Sequence, residues 1–174
     1  DGTNHKTLSA FLDVYGDNPL PKIAILRGGT MNNLAGQFGI KGSPEKILSD
    51  LILKYHNGEA FREESIHLIK VNGAYGFLFG MGLIDKFINI YQDCEGGPTP
   101  LRAFLLLARA SISSLLNGKM SQRLCERFNA RIYVDDKLMP FKNYMMIFSG
   151  TMQTLGFNFR PLYRGNSEPG KFQF

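Results

Sequence analysis

Hydrophobic residues in the first third of the chain recur with the spacing of two helices around one short strand. A helix is predicted over residues 4–15, with Gly16 as its stop. The run Lys22–Leu26 is β-branched and aliphatic, and it predicts a buried strand. A glycine pair ends this run, and Leu34-Ala35 begins another helical turn. The residues at helical spacing in the first helix are Leu8, Phe11, Leu12 and Tyr15.

A third helix is predicted after Ser43-Pro44, since a capping residue followed by proline is a strong helix start. The predicted helix ends at Asn57-Gly58. Its apolar stripe predicts core packing and nothing more. The stripe consists of Ile47, Leu48, Leu51, Ile52 and Tyr55.

From about Glu59 the hydrophobic pattern changes to one of hairpins. Residues 65–71 alternate, which puts Ile66, Leu68 and Lys70 on one face of a strand. Asn72-Gly73 is a hairpin signal, and the apolar run 75–79 follows it. A break is predicted at 80–82, followed by a helix over 83–91. The change predicts a second, β-rich domain from residue 59.

Two further hydrophobic segments follow a glycine- and proline-rich linker at 94–100. Residues 101–116 have helical periodicity, with Arg102 and Arg109 on the opposite side. This helix either docks on the β-rich domain or lies in a membrane interface. Farther on, a turn at Asp135-Asp136 is expected to join strands at 131–134 and 144–148 in a hairpin. Apolar residues that predict more strand are Phe157, Phe159, Leu162, Phe172 and Phe174.

Composition and charge narrow the function classes. The 174 residues are 44% hydrophobic, enough for a real core, and the net charge of +5 suits an anionic partner. No basic run reaches five residues, so we expect no nucleic-acid partner. Cys94 and Cys125 form no C-x-x-C pair, and the three histidines lack zinc spacing. Because the two cysteines lie far apart in the sequence, we expect a reducing, cytoplasmic setting. No apolar run reaches the roughly 18 residues of a membrane span.

The loops around the predicted strand are the candidate anion site. Alternating helices and strands predict a parallel sheet, whose strand ends share one edge. The loops Asp1-Gly2-Thr3 and Gly29-Thr30 should therefore converge on one crevice. Glycines permit close approach, Thr30 adds a hydroxyl and Asn32 an amide, so phosphates are suitable ligands. An ordinary turn before a capped helix is the alternative.

These two loops, in this order, resemble a known enzyme family. Asp1-Gly2-Thr3 followed by Gly29-Thr30-Met31-Asn32 resembles the catalytic domain of diacylglycerol kinases and sphingosine kinases, including the bacterial-type lipid kinases. Residues 71–77, followed by residues 80–85, resemble the next motif of the family. The likeness covers nearly the whole chain loosely and the first two motifs well.

The resemblance implies a fold, an activity and roles for particular residues. It implies an NAD kinase/diacylglycerol kinase-like architecture: the C-terminal part of an α/β nucleotide-binding domain at 1–58, then an incomplete, β-rich, sandwich-like lipid domain at 59–174. The implied activity is transfer of the ATP γ-phosphoryl group to a lipid hydroxyl, of diacylglycerol or a sphingoid base, with Mg²⁺. Asp1 would be catalytic and a metal ligand, and Asp85 would be catalytic near the lipid head group. The residues that would bind the nucleotide are Gly2, Thr3, Gly28, Gly29, Thr30 and Asn32.

Three departures from the family pattern keep alternatives open. Met31 stands where many members have glycine, and Asp85 falls about one residue from the usual acidic position. The segment 169–173 lacks the acids of many bacterial members. The alternatives are a relative of NAD kinase and a non-catalytic nucleotide- or lipid-binding module. The expected partners are a lipid substrate and the surface of a membrane, with a homodimer left open, and we expect both ends to be cut from a longer chain.

Overall fold

The chain folds into two compact units that are described separately. The computed structural model describes residues 2–29, 31–93, 97, 99–155 and 159–174. Unit 1 comprises residues 1–79 and 149–174, and unit 2 comprises residues 80–148. The predicted boundary near residue 59 falls inside unit 1, and the predicted domain limits stay predictions.

Three helices of unit 1 confirm the hydrophobic periodicity. They are α1 (Gly2–Tyr15), α2 (Asn33–Gln37) and α3 (Pro44–His56). Gly16 follows α1 with a φ of 56°, in the left-handed region that glycine tolerates. Ser43 caps α3, because its side chain accepts a hydrogen bond of 3.3 Å from the backbone N–H of Lys46.

Two local predictions for the first part of unit 1 are wrong. Gly2 and Thr3 are not in a loop before α1 but in its first turn. The run Lys22–Leu26 is in neither a helix nor a strand. A strand needs a neighbour with which to exchange backbone hydrogen bonds, and no described residue pairs with this run.

The apolar stripe of α3 does not form the core. None of its residues is buried; Leu48, Ile52 and Tyr55 are exposed, and Ile47 and Leu51 are intermediate. Periodicity shows which residues share a helix face, but whether another element covers that face depends on tertiary contacts. The prediction of core packing is therefore wrong here.

A tight hairpin supplies the β-structure of unit 1. Strands β1 (Ile69–Val71) and β2 (Ala74–Gly76) pair antiparallel, with Ile69 opposite Gly76. Asn72 and Gly73 both have positive φ, which confirms the predicted turn. Ile69 is buried and Lys70 is exposed, so the face that packs inward is the one opposite to that of Lys70.

The core of unit 1 joins residues that are far apart in sequence. Helix α1 packs on β2, and the C-terminal segment returns to the same region. Gly150 forms an isolated antiparallel bridge with Gln173. The buried apolar residues of this unit are Leu8, Leu34, Ala35, Ile69, Met152 and Leu162.

Unit 2 begins within β3 (Leu78–Gly82) and ends within β8 (Met146–Gly150), and these two strands pair. The predicted break at 80–82 is wrong, since β3 continues through these residues. Gly82 has a φ of 74°, and a Cβ there would collide with the carbonyl oxygen of Met145. Glycine at this position, the last residue of β3, therefore permits close backbone approach where the strand passes into α4.

The rest of unit 2 is helical, followed by short hairpin strands. The helices are α4 (Leu83–Gln92), α5 (Pro100–Leu115) and α6 (Lys119–Leu124), of which α4 and α5 were predicted. The strands are β4 (Phe128–Asn129), β5 (Tyr133–Val134), β6 (Lys137–Leu138) and β7 (Asn143–Tyr144).

The pairing of these strands corrects the predicted second hairpin. The Asp135-Asp136 turn is confirmed, since both residues have positive φ, but it joins β5 to β6. Tyr144 pairs instead with Phe128, in the β4–β7 ladder. A two-residue turn permits only the immediately following residues as partners, so 144–148 is too far along the chain.

The sheets are small. There are four two-stranded sheets among the described residues, and the registers of β1–β2, β4–β7 and β5–β6 are antiparallel. The nucleotide-binding and sandwich-like architecture stays a prediction. No helix in the described part of the chain is long and apolar enough to cross a membrane.

Candidate functional site

A glycine-rich cleft in unit 1 brings together the two predicted phosphate motifs. Its volume is about 290 Å³, at the lower end for ligand pockets. Thr3 and Asn4, in the first turn of α1, form one side, and Gly28, Gly29 and Asn32 form another. The expected convergence of these two segments is therefore found, although the cleft forms without the predicted strand. Its remaining lining residues are Ala24, Ile25, Leu26, Leu34 and Ala35.

Asn32 fixes the shape of the glycine loop. It has a φ of 49° and precedes α2. Its Oδ1 accepts a hydrogen bond of 3.0 Å from Gly29 N, and its Nδ2 donates one of 2.6 Å to Gly29 O. Because the Gly29 N–H is used inside the loop, Asn32 and Gly29 mainly hold the loop in shape. This differs from the sequence prediction, in which both donate to phosphate.

Gly28 is the open position of the loop. An added Cβ would meet no atom within 4 Å, and the backbone does not have positive φ. Backbone at this position is therefore accessible to a ligand in the cleft, as a phosphate-binding loop requires.

Arg27 precedes the loop with a donor that is not satisfied. Its Nε is buried and makes no hydrogen bond to the described residues. Buried guanidinium donors are normally paired, and carboxylates and phosphates are their preferred acceptors. Arg27 itself does not line the cleft.

An apolar cavity adjoins the glycine-rich cleft within unit 1. Its volume is about 410 Å³, and residues on β1, β2 and the start of β3 form most of its wall. Asn4 and Leu34 line both this cavity and the cleft. The two spaces are therefore neighbours, one rich in backbone polar groups and the other in apolar side chains. Apolar side chains in its lining are Ile69, Val71, Phe77, Leu78, Phe79 and Met152.

His5 lies in the lining of the apolar cavity, together with Tyr75, a second ionisable residue. Its Nδ1 is hydrogen-bonded to the carbonyl oxygen of Tyr75. A carbonyl only accepts, so Nδ1 carries the proton, and Nε2 of the neutral ring is an acceptor. Ser9 holds the same strand residue, accepting from Tyr75 N at 3.0 Å. The α1–β2 contact thus fixes the histidine ring at the cavity.

Lys70 lies on the β1 face opposite to that of Ile69 and Val71, which line the cavity. Its ammonium lies 5.0 Å from the centre of the Tyr75 ring. Hydrogen bonding to Tyr75, followed by the charge of that phenol, raises the pKa of Lys70 above its ordinary value. Lys70 is therefore protonated at neutral pH.

The remaining predicted site residues fall into three groups. Asp1 and Thr30 lie outside the described residues. Gly2 is the first residue of α1 and does not line the cleft. Asp85 lies in the first turn of α4 in unit 2, and its predicted role stays a prediction.

The described residues contain no group of three or more histidine, cysteine, aspartate or glutamate side chains suited to hold a metal ion. Mg²⁺ differs from zinc in that one or two carboxylates and the substrate phosphates usually hold it. The predicted Mg²⁺ ligand, Asp1, is outside the described residues.

Sequence reasoning did not identify the apolar cavity or the two residues it shares with the cleft. Asn4 and Leu34 were assigned only to helices. The alternation of residues 65–71 predicted an apolar face of Ile66, Leu68 and Lys70, whereas Ile69 and Val71, on the other face, line the cavity.

Comparison with known proteins gives no assignment: no protein-family model, curated protein or solved structure matches the chain.

Proposed function

We propose that the protein is an ATP-dependent lipid kinase that transfers the γ-phosphoryl group of ATP to a lipid hydroxyl, of diacylglycerol or a sphingoid base. One observation carries the proposal: a glycine-rich cleft and an apolar cavity adjoin through Asn4 and Leu34. A lipid kinase needs this combination, because its two substrates are a polyphosphate and an apolar chain with a hydroxyl. The motif resemblance to lipid kinases points the same way.

The nucleotide phosphates would lie against Gly28 and Thr3. Gly28 leaves room for a ligand at the backbone. Thr3 offers a hydroxyl, and its backbone lies in the first turn of a 14-residue helix. Free N–H groups in such a turn favour anions. These residues fit a phosphate chain.

The lipid would occupy the apolar cavity with its hydroxyl towards Asn4. The cavity volume of about 410 Å³ is within the range of small-molecule sites. His5 offers Nε2 as an acceptor for a hydroxyl proton. Because the acceptor is a lipid, the proposal also includes peripheral contact of the protein with the surface of a membrane.

Mg²⁺ would be held by Asp1 together with the nucleotide phosphates. The ion supplies charge neutralisation of the phosphates when bound. The protein's own residues contribute positioning: Gly28 and Thr3 orient the phosphate chain, and Asn4 separates the two substrate spaces. Phosphoryl transfer requires mainly such positioning and little covalent chemistry from side chains.

The test is label transfer from [γ-³²P]ATP with Mg²⁺ to a panel of diacylglycerol, sphingosine and NAD. We expect label in a lipid and none in NAD. Gly28→Ala should lower transfer at least about tenfold, since a methyl group displaces the phosphate chain by more than hydrogen-bond tolerance. Gly36→Ala is the matched control, because its added Cβ also meets no atom within 4 Å and it does not line the cleft.

Three results would contradict the proposal. Label in NAD alone would assign the chain to the NAD kinases. ATP or lipid binding without transfer would make it a binding module. Equal activity of Gly28→Ala and Gly36→Ala would remove the glycine-rich cleft from the reaction. Asp1→Asn should abolish transfer, whereas Asp17→Asn, an exposed turn acid, should not.

A further inference from the structure

Helix α5 of unit 2 carries its large apolar side chains on the side that is open to solvent. We call this side the outer face of α5; it comprises Leu101, Phe104, Leu105, Ile112 and Leu115. Each of these residues is exposed, with Phe104 at 58% and Leu115 at 86%. Their spacing puts them along one stripe of the helix. The sequence predicted the stripe, and the structure leaves it without cover.

The opposite side of α5 makes the contacts that hold unit 2 together. Ala103 and Leu106 are buried, and α5 packs against α4 and α6. Ser121 of α6 donates a hydrogen bond of 3.1 Å from Oγ to Ser113 O, and neither residue belongs to the outer face. Its backbone N–H donates to Ser113 Oγ at 3.0 Å. The α5–α6 pair is thus fixed without the outer face, which remains available.

The charged residues within α5, α6 and the turn between them all have one sign. No acidic residue occurs between Glu95 and Glu126. The basic residues of α5 and α6 are Arg102, Arg109, Lys119 and Arg123, and all except Arg102 are exposed. Long basic side chains beside an apolar stripe suit a surface that is apolar below and anionic above. A phospholipid bilayer with anionic headgroups is such a surface.

The dimensions of α5 favour a helix that lies on a bilayer. Its 16 residues extend about 24 Å at 1.5 Å per residue. The hydrocarbon core is about 30 Å thick. Together with the arginines at Arg102 and Arg109, this length excludes α5 as a span and suits an interfacial helix.

We infer that the outer face of α5 docks on anionic phospholipid bilayers. The apolar side chains insert at the boundary of headgroups and acyl chains, and the basic residues of α5 and α6 contact the headgroups. This surface belongs to unit 2 and does not involve the cleft or the cavity of unit 1. The inference therefore deepens the membrane contact that the proposed function includes, by assigning it to a surface, and vesicle binding tests it separately from phosphoryl transfer.

The first test is co-sedimentation of the purified protein with phosphatidylcholine vesicles, with and without phosphatidylserine. We expect binding that requires phosphatidylserine and weakens with added salt. Phe104→Glu/Leu115→Glu should lower the partition coefficient at least about tenfold, since two apolar anchors become charged. Arg109→Gln/Arg123→Gln should lower it about fivefold per arginine.

A matched control comes from the exposed apolar residues of α3. Leu53→Glu/Tyr55→Glu adds the same charge at similarly exposed helix positions, and it should bind vesicles like the wild type. Equal losses in both double variants would overturn the inference, because net charge alone would then explain the effect. Absence of phosphatidylserine-dependent binding by the wild type would also overturn it.

A fluorescent reporter gives a readout that does not depend on a disruptive charge. The protein contains no tryptophan, so Leu115→Trp and Tyr55→Trp each introduce a single probe. We expect anionic vesicles to shift the emission of the first to the blue and to leave the second unchanged. A blue shift of Leu115→Trp that depends on protein concentration without vesicles would show that a second copy covers the outer face, and would overturn the inference.

Discussion

At the scale of single residues, the candidate site depends on a few backbone positions that only certain side chains permit. Asn32 is the clearest case, because it combines a left-handed backbone with two hydrogen bonds to Gly29. Asparagine tolerates this conformation better than residues with bulkier side chains. The sequence indicated a polar amide in the loop but not that the amide bonds to the loop itself.

The first prediction concerns Asn32, which adopts a left-handed backbone and makes two hydrogen bonds to Gly29. Asn32→Ala removes both hydrogen bonds and strains the backbone, so we expect the free energy of unfolding to fall by about 1–3 kcal/mol. We expect ATP affinity to fall as well, since the loop is no longer preorganised. Urea unfolding and calorimetric titration with ATP measure the two effects.

The companion variant Asn32→Gly separates conformation from hydrogen bonding. Glycine adopts the positive φ without strain, so only the hydrogen-bond part of the loss should remain. If both variants unfold like the wild type, Asn32 does not hold the loop.

At the scale of elements, α3 of unit 1 begins and ends where local chemistry predicts, although none of its residues is buried. Helix α3 has a capping serine, a proline in its first turn and no buried residue. Its stability therefore depends more on its own ends than on packing, because burial of an apolar face contributes little. Glu45 takes part in the same cap: the backbone hydrogen bond and then the Ser43 hydroxyl lower its pKa.

The second prediction concerns this cap. Ser43→Ala should lower the free energy of opening of α3 by about 1 kcal/mol, since the N–H of Lys46 loses its acceptor. Amide hydrogen exchange across residues 44–56 measures the local opening. Ser49→Ala, on the exposed surface of the same helix, is the control and should leave exchange unchanged or slightly slower. Equal acceleration in both variants would argue against the cap.

At the scale of the whole molecule, the C-terminal segment of the chain completes unit 1. Thr151 is 1% exposed, and its Oγ1 donates a hydrogen bond of 2.5 Å to His67 O. Its N–H donates to Phe77 O at 2.9 Å. Close by, a Cβ at Gly150 would collide with the carbonyl oxygen of Phe77. These contacts connect segments more than 70 residues apart, which no local pattern contains.

The third prediction concerns this long-range contact. Thr151→Val keeps the shape but leaves the part-buried His67 carbonyl without this donor, so we expect a loss of about 1–3 kcal/mol in the free energy of unfolding of unit 1. Thr151→Ser keeps the hydroxyl and should lose less than Thr151→Val. Thermal unfolding followed by circular dichroism compares the two. A valine variant as stable as the serine variant would contradict the role of the hydroxyl.

The sequence by itself determined the features that depend on neighbours along the chain. The extents of α1, α3, α4 and α5 and the turns at Asn72-Gly73 and Asp135-Asp136 follow from periodicity, caps and positive φ, which act within a few residues. It also identified Thr3, Gly28, Gly29 and Asn32, because glycine and small polar residues at a loop before a helix suit anions.

Only the tertiary structure decided which faces are covered and which segments meet. The stripes of α3 and α5 look like core residues in the sequence, yet they are exposed, because no packed element lies over them. Lys22–Leu26 has strand composition but no described pairing partner. The meeting of the glycine-rich cleft with the apolar cavity at Asn4 and Leu34 likewise results from contacts between distant segments. Burial and strand pairing are properties of two surfaces at once, and a sequence pattern describes only one of them.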